Sequence, residues 1–395
     1  MANVLLLLMY LAVILLIGLL TSIISQRFRI PNILLLLLIG IGLGMVNYRG
    51  APLISFPEIF MTGISILALV MILFDSWSRL KLKKDYFALH TLWLSIIFLI
   101  FNLIFLTAFA MVIFDVSSIF LALVFSALMF GTDIGVLALF GNAGNKVFEF
   151  LKLEALLNTP FVVLLPFIIL DFKDALKEGF TAQFIGNIFP PMQQLVVGIA
   201  AGVLMGLVMF KFMRKRYSAV LSPLAVIVFA LLAYITAKNL GGNGVWAVAS
   251  MGLLFGTVHL SHKPQLQSFA SVSLNSLGIL VFVLIGIIVS IDFSANFLIK
   301  SLLLFLSYIL IRFASILFAL RGMDFTMKEK LFMSLNVQKG IAVAVVVFSL
   351  AMLDIEGIGT VLNLAIAFMI YSIILSSVVL RIAKFFIKDV REKKG

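Results

Sequence analysis

Apolar runs long enough to cross a bilayer core, about 30 Å of hydrocarbon or roughly 20 helical residues, recur from one end of the chain to the other. The pattern predicts thirteen spans, at residues 4 to 24, 31 to 48, 57 to 78, 87 to 114, 117 to 140, 146 to 171, 190 to 212, 219 to 238, 243 to 258, 268 to 290, 295 to 320, 330 to 353 and 358 to 387. The expected fold class is an all-α integral membrane protein. The first run lacks the basic n-region and small-residue cleavage site of a secretory signal peptide, because MANVLLLLMY carries no charge before its apolar stretch. It reads as a retained span. No polar stretch exceeds about 20 residues, which leaves no room for a soluble catalytic or regulatory domain.

Of the 395 residues, 63% are apolar and 12% charged, about half the charged share of an ordinary globular chain. An ordinary soluble enzyme is excluded, and no cofactor is expected. The net charge of +12 sits between the apolar runs rather than among aromatics on a polar surface. The implied partner is therefore a lipid bilayer and not a nucleic acid. The absence of cysteine removes disulfides, zinc thiolates and thiol nucleophiles.

Charge also orients the spans. An odd number puts the termini on opposite sides, and the tail RIAKFFIKDVREKKG belongs in the cytoplasm by the positive-inside rule, with the amino terminus outside. Twenty-one of the 29 basic residues then fall in inner loops and tail, against Arg49, Lys173, Lys177 and Lys238 in outer ones. The lack of a targeting extension suits the plasma membrane of a prokaryote. Six spans, a seventh at 190 to 212 and six more suggest a single transporter domain with a first repeat over 1 to 171, a linking helix, and a second repeat over 219 to 387. Residues 388 to 395 form a basic tail. A half repeated after an odd-numbered linker is inserted upside down, and inverted repeats are characteristic of secondary transporters.

A charge at bilayer depth costs at least about 2.5 to 3.5 kcal/mol on insertion scales, so deep ionisable groups are functional candidates. Asp133, Lys152, Glu154, Arg312 and Lys339 lie within spans, and Asp75 near the inner end of the third. Counted from the cytoplasmic end of their own helices, Asp133, Glu154, Arg312 and Lys339 lie 7 to 9 residues in, a common layer roughly 10 to 14 Å deep. Gly131 and Gly135 bracket Thr132 and Asp133 in the fifth span, while Asn336, Gln338 and Gly340 surround Lys339 in the twelfth, so both read as unwound, crossing helices. Half-helix termini of both signs would meet there, Asp133 offsetting the positive ends and Lys339 the negative ones. Glu154 and Asn158 share a face of the sixth span, and Pro160 frees the carbonyl of Leu156 beside them.

Blander roles stand beside these. Asp133 can be a cap on helix dipoles or an ion or proton site, and Asp75 is close enough to the inner surface to be simply hydrated. Glu154 with Arg312 suits a structural pair, since breaking one side of a buried pair costs about 3 to 5 kcal/mol. Lys152 can snorkel to the interface. His90, His259 and His262 fall at cytoplasmic edges, where solvation or pH sensing is open to them, and no spacing suggests a metal site.

In order and spacing these motifs resemble the monovalent cation/proton antiporter superfamily, and within it the thirteen-helix Na+/H+ exchangers of archaea and bacteria. RFRIPNILLLLLIGIGLG, LALVMILFDSW, FGTDIGVLAL, LEALLNTP, LVFVLIGIIVSIDF and KLFMSLNVQKGIAVAVVV are similar to successive family segments, including the third-helix "LILFEGG" and sixth-helix "ESLLNDP" patterns. The resemblance implies a homodimer in which spans 4 to 6 and 11 to 13 move an ion site past a dimerisation domain by an elevator motion. It maps Thr132 and Asp133 to the ion-site motif, Asp75 to the acid lining the inner funnel, Glu154 with Arg312 to a buried ion pair, and Lys339 to the basic residue of the twelfth helix.

Two positions depart from the family. Its carboxylate that alternately holds a proton or the cation is Thr159 here, and the serine ligand after the glutamate is Ala155. A threonine hydroxyl can ligate a cation but cannot release a proton at physiological pH. Proton coupling must then move to Asp133, to Asp75, or to a Glu154 freed from Arg312. Ion or proton binding is assigned to Asp133, Thr132, Asn158, Thr159 and Asp75, in exchange of Na+, with K+ or Li+ as alternatives, for H+. The competing readings are an uncoupled cation channel or uniporter, and a transport-inactive relative. An intramembrane aspartyl protease using Asp75 and Asp133 is disfavoured because Gly-Thr-Asp is not the Gly-x-Gly-Asp of that class.

Overall fold

The computed structural model describes residues 2–28, 30–48, 51–52, 54–80, 86–116, 118–133, 145–173, 184–215, 218, 221–258, 262–289 and 292–387. The described helices are α1 (Ala2–Phe28), α2 (Asn32–Met45), α3 (Glu58–Arg79), α4 (Tyr86–Phe101), α5 (Thr107–Phe114), α6 (Ile119–Met129), α7 (Lys146–Asp171) and α8 (Phe184–Lys215). They continue with α9 (Leu221–Asn239), α10 (Gly244–Thr257), α11 (Lys263–Ile288), α12 (Ala295–Ala319), α13 (Met327–Leu335), α14 (Ile341–Ala351), α15 (Ile358–Arg381) and a single turn, α16 (Ala383–Phe386).

The protein is an all-helical membrane protein, and among the described residues nine helices are long and apolar enough to cross a bilayer unaided, with four shorter apolar helices, α2, α6, α10 and α14, beside them. Several details differ from the pattern in the sequence, among them the start of α8 at Phe184 rather than 190. The tenth span begins at Lys263 rather than 268, because Lys263 Nζ turns back to the carbonyls of Gly256 and Val258 at 2.5 and 3.1 Å and makes a charged residue a tenable first turn. The last span ends at Arg381, with α16 set off from it. A two-residue antiparallel ladder, Asn47–Tyr48 with Ala51–Pro52, closes the turn after α2.

Local chemistry explains several boundaries. Pro31 and Pro57, in extended conformation, precede α2 and α3. Asn145, Asn243 and Ser294 cap α7, α10 and α12 with side-chain oxygens, and Thr326 with Glu329 forms a complete capping box on α13. The fourth span stays continuous from α4 to α5 through one π-helical turn, Asn102–Leu106. There Asn102 Nδ2 donates to the Ser126 carbonyl at 2.9 Å and Thr107 Oγ1 to Ser126 Oγ at 2.9 Å, both buried. The twelfth span is interrupted at residues 336–340, between α13 and α14. The fifth leaves helical geometry after Met129, and Gly135 lies outside the described residues.

Packing is reciprocal between the halves. α2 packs along α11, while α10 packs along α3, which is the pairing that exchanging second for ninth and third for tenth spans would give. Both contacts are made by glycines four residues apart. A Cβ on Gly40 or Gly44 of α2 would come within 2.5 Å of Val283 O or 2.7 Å of Ile287 O. One on Gly252 or Gly256 of α10 would meet Phe74 O at 3.1 Å or Ser78 O at 3.0 Å. Such close backbone approach is what packs helices where lipid competes with every apolar side chain. The Gly286 position faces the Gly40 carbonyl carbon at 2.6 Å, so Gly286→Val is expected to force α2 and α11 apart. A thermal-unfolding midpoint in detergent at least several degrees below wild type, consistent with overpacking of about 1 to 3 kcal/mol, is the expected reading.

Leucines and isoleucines of α1 and α12 are largely exposed, whereas residues 343 to 350 of α14 are all buried. The protein thus has an apolar outer surface fit for lipid around an interrupted helix at its centre.

Candidate functional site

The two interruptions meet. The Asp133 backbone N–H donates to the Gln338 carbonyl at 2.9 Å, joining the unwound stretch after α6 to the one between α13 and α14. Lys339, fully buried, donates from Nζ to the carbonyls of Met129 and Gly131 at 2.6 and 2.7 Å and to the Tyr308 hydroxyl at 2.6 Å. Those two carbonyls belong to the carboxy-terminal end of α6, where the helix leaves acceptors unpaired and a partial negative charge. The Lys339 N–H donates in turn to Ser372 Oγ at 3.1 Å on α15.

Asp133 occupies the opposite pole. Gly340 is the residue before α14, and a Cβ placed there would overlap Asp133 Oδ2, so the carboxylate lies directly over the Gly340 Cα at the amino-terminal end of that helix. An anion is stabilised at such an end by the helix dipole. Asp133 is half-buried; its neighbour Thr132 is buried. On the facing helix α7, Asn158 is completely buried, its Nδ2 lies 3.5 Å from Thr132 Oγ1, and its Oδ1 accepts no hydrogen bond from a described residue. Thr159 turns its hydroxyl back onto the Ala155 carbonyl at 2.6 Å. The crossover therefore gathers Asp133, Thr132, Asn158, Gly340 and Lys339 around one break, with Thr159 one residue along α7 from Asn158.

Glu154 and Arg312 form a separate unit one turn away on α7. Arg312 Nη1 and Nη2 meet the two carboxylate oxygens at 2.7 and 2.8 Å, both side chains are fully buried, and the Phe98 ring covers the guanidinium at 4.8 Å. Tyr308, four residues before Arg312 on α12, links this pair to Lys339. Asp75 is elsewhere. Its Oδ1 accepts from Arg79 Nε at 2.8 Å and from Ser271 Oγ at 3.0 Å, at the junction of α3 and α11.

Lys152 is exposed, and His259 lies outside the described residues. Tyr308, Ser372, Arg79 and Ser271 were not picked out by sequence reasoning. Only Arg79 and Tyr308 left a trace there, each four residues from a singled-out charge.

Together, the end of α6 and the interruption between α13 and α14 meet inside a membrane bundle with a charged side chain at each, an arrangement found at the ion sites of secondary transporters. The chain belongs to the sodium/hydrogen exchanger family: the family's transmembrane model matches residues 11–384. It is similar to the probable Na(+)/H(+) antiporter 2 of Methanocaldococcus jannaschii, with 26% identity over 335 residues, 78% of this chain and 75% of that one. In fold it is similar to the sodium proton antiporter MjNhaP1 of the same organism. One structure of that protein, at pH 8, gives a TM-score of 0.72 at 20% identity, covering 95% of this chain and 99% of the other. Another, from electron microscopy, gives 0.68 at 22% identity, covering 98% of each.

Proposed function

We propose that this protein exchanges a monovalent cation, Na+ with K+ or Li+ as alternatives, for protons by secondary active antiport, and that Asp133 is the carboxylate that alternates between them. The observation that carries the reading is the position of Asp133, whose carboxylate lies at the amino-terminal end of α14 where the two unwound stretches are joined. Glu154 has both oxygens committed to a fully buried guanidinium, and protonating it would leave Arg312 charged and alone. Asp75 is bonded to Arg79 away from the crossover. Asp133 is half-buried at the crossover, beside Thr132 and an Asn158 Oδ1 with no partner among the described residues, which can supply neutral oxygen ligands.

The transport cycle follows an elevator scheme: spans 4 to 6 and 11 to 13, which include the crossover and the Glu154–Arg312 pair, move against the remaining spans in a homodimer. The first repeat covers 1 to 171, the linking helix 190 to 212 and the second repeat 219 to 387. The basic tail is cytoplasmic in a prokaryotic plasma membrane, and the amino terminus is outside. Lys339 fixes the carboxy-terminal end of α6 throughout, and Asp133 meets the cation at the amino-terminal end of α14.

The test uses proteoliposomes with an internal pH dye, challenged with Na+, K+ or Li+. Wild type is expected to move protons and Asp133→Asn to lose at least about a hundredfold of that rate, with unchanged elution as folded protein. An Asp133→Asn rate equal to wild type overturns the assignment. Thr159, whose hydroxyl cannot carry a proton, favours one second reading, uncoupled cation flux. That reading gains if cations cross with internal pH unchanged and only Thr159→Asp drives the dye.

A further inference from the structure

A second charged cluster lies away from the crossover, where the last turn of α3 meets the first turns of α11. Arg79 Nε donates to Asp75 Oδ1 at 2.8 Å, and its Nη2 donates both to the Gln267 carbonyl at 2.8 Å and to Ser271 Oγ at 2.5 Å. Ser271 Oγ also donates to Asp75 Oδ1 at 3.0 Å. The frame around this set is fixed from both helices: Gln267 Nε2 donates to the Ser78 carbonyl at 2.8 Å, and Ser78 Oγ to the Asp75 carbonyl at 3.0 Å.

Every atom that the guanidinium touches is an oxygen. One carboxylate oxygen, one hydroxyl and one backbone carbonyl, converging on one positively charged group, are also the ligand types that alkali and other hard cations take. Asp75 Oδ2 accepts no hydrogen bond from a described residue, so the carboxylate keeps a second oxygen for a ligand. The Asp75 side chain is 12% exposed and that of Arg79 33% exposed. The acid is thus shielded and the arginine is the partner with room to leave.

We propose that Arg79 is a tethered competitor: its guanidinium fills a cation station made by Asp75, Ser271 and the Gln267 carbonyl, and a monovalent cation binds there only by displacing it. The proposal rests on the cation-exchange reading for its purpose, since a station on α3 and α11 would be a stop on the way to the crossover. A partly solvated ion pair is weak enough to open and strong enough to stay closed most of the time. The apparent affinity of the station then falls by the fraction of time that the arginine is away. Such a device sets the cation concentration above which the transporter loads.

The experiment is equilibrium binding of radioactive Na+ to the purified full-length chain in detergent. Arg79→Gln is expected to bind Na+ about five- to tenfold more tightly than wild type, and Arg79→Gln with Asp75→Asn to lose that gain. Arg79→Lys should fall between wild type and Arg79→Gln. In proteoliposomes Arg79→Gln should lower KM for Na+, a shift that loss of a merely structural contact would not produce. Binding by Arg79→Gln no tighter than wild type, or a gain that survives Asp75→Asn, overturns the proposal. Should Arg79→Gln fail to fold, Arg79→Lys decides: an affinity unchanged from wild type overturns it. A binding gain without proton-coupled flux in wild type sinks the antiport reading alone, whereas flux without the gain sinks only the tethered competitor.

Discussion

Glu154→Gln is expected to lose about 3 to 5 kcal/mol of stability, enough to abolish recovery of folded protein in detergent at moderate temperature. The reason is the completeness of the pair. Arg312 is fully buried, two of its nitrogens are bonded to the Glu154 carboxylate at 2.7 and 2.8 Å, and among the described residues its Nε has no hydrogen-bond partner. Neutralising the acid leaves a buried guanidinium charge without its carboxylate, under the Phe98 ring. A double variant, Glu154→Met with Arg312→Met, removes both charges and is expected to recover most of the loss, because a buried pair earns little over a well-packed apolar substitute. Heating the proteins in detergent and following the monodisperse peak measures both. Equal midpoints for Glu154→Gln and wild type would show that the pair does not hold α7 to α12. If the stable double variant still moves protons, Glu154 is not the proton carrier.

Gly340→Ala should abolish transport through one methyl group. An alanine Cβ at this position overlaps the Asp133 carboxylate, and the neighbouring atoms include the Asp133 backbone-attached Cβ at 2.5 Å, which cannot swing clear as a flexible tip would. Either the carboxylate leaves the amino-terminal end of α14, or the Asp133 N–H to Gln338 bond breaks. We expect at least a fiftyfold drop in proton-coupled cation flux, with about 1 to 3 kcal/mol of destabilisation. Gly359→Ala is the matched control. Nothing lies within 4 Å of a Cβ there, and the residue is inside helix α15, so the same change should leave flux unaltered and the fold slightly more stable. Flux that falls equally in both variants would remove Gly340 from the site.

The sequence exposed the spans because burial in lipid leaves few ways to write a helix: a run of apolar residues closed by charge. It exposed the break in the twelfth span and the end of α6 for the same reason in reverse, since Gly131, Asn336, Gln338 and Gly340 are conspicuous in apolar surroundings. Contacts between spans were harder. The Gly40 and Gly44 pair and the Gly252 and Gly256 pair were in view as four-residue repeats, and their reciprocity was a sign of the internal symmetry that span counting alone supplied. Asp75 shows the limit. Its depth could be read, but Ser271 lies 196 residues further along, and no local pattern connects the two. Tyr308 was hidden differently: a tyrosine among phenylalanines in LSYILIRF looks like packing until Lys339 is seen to reach its hydroxyl.

The π-helical turn at Asn102–Leu106 amounts to one residue more than a regular helix needs, and it rotates everything after it by roughly 100° about the axis. The fourth span can therefore serve two masters: Phe98, before the turn, lies on Arg312, and Thr107, after it, bonds to Ser126 on the broken fifth span. A straight helix of the same composition would present one of these groups to lipid. Deleting the extra residue would undo one contact to preserve the other, and relatives with a regular fourth helix should align to this chain only across a one-residue gap there.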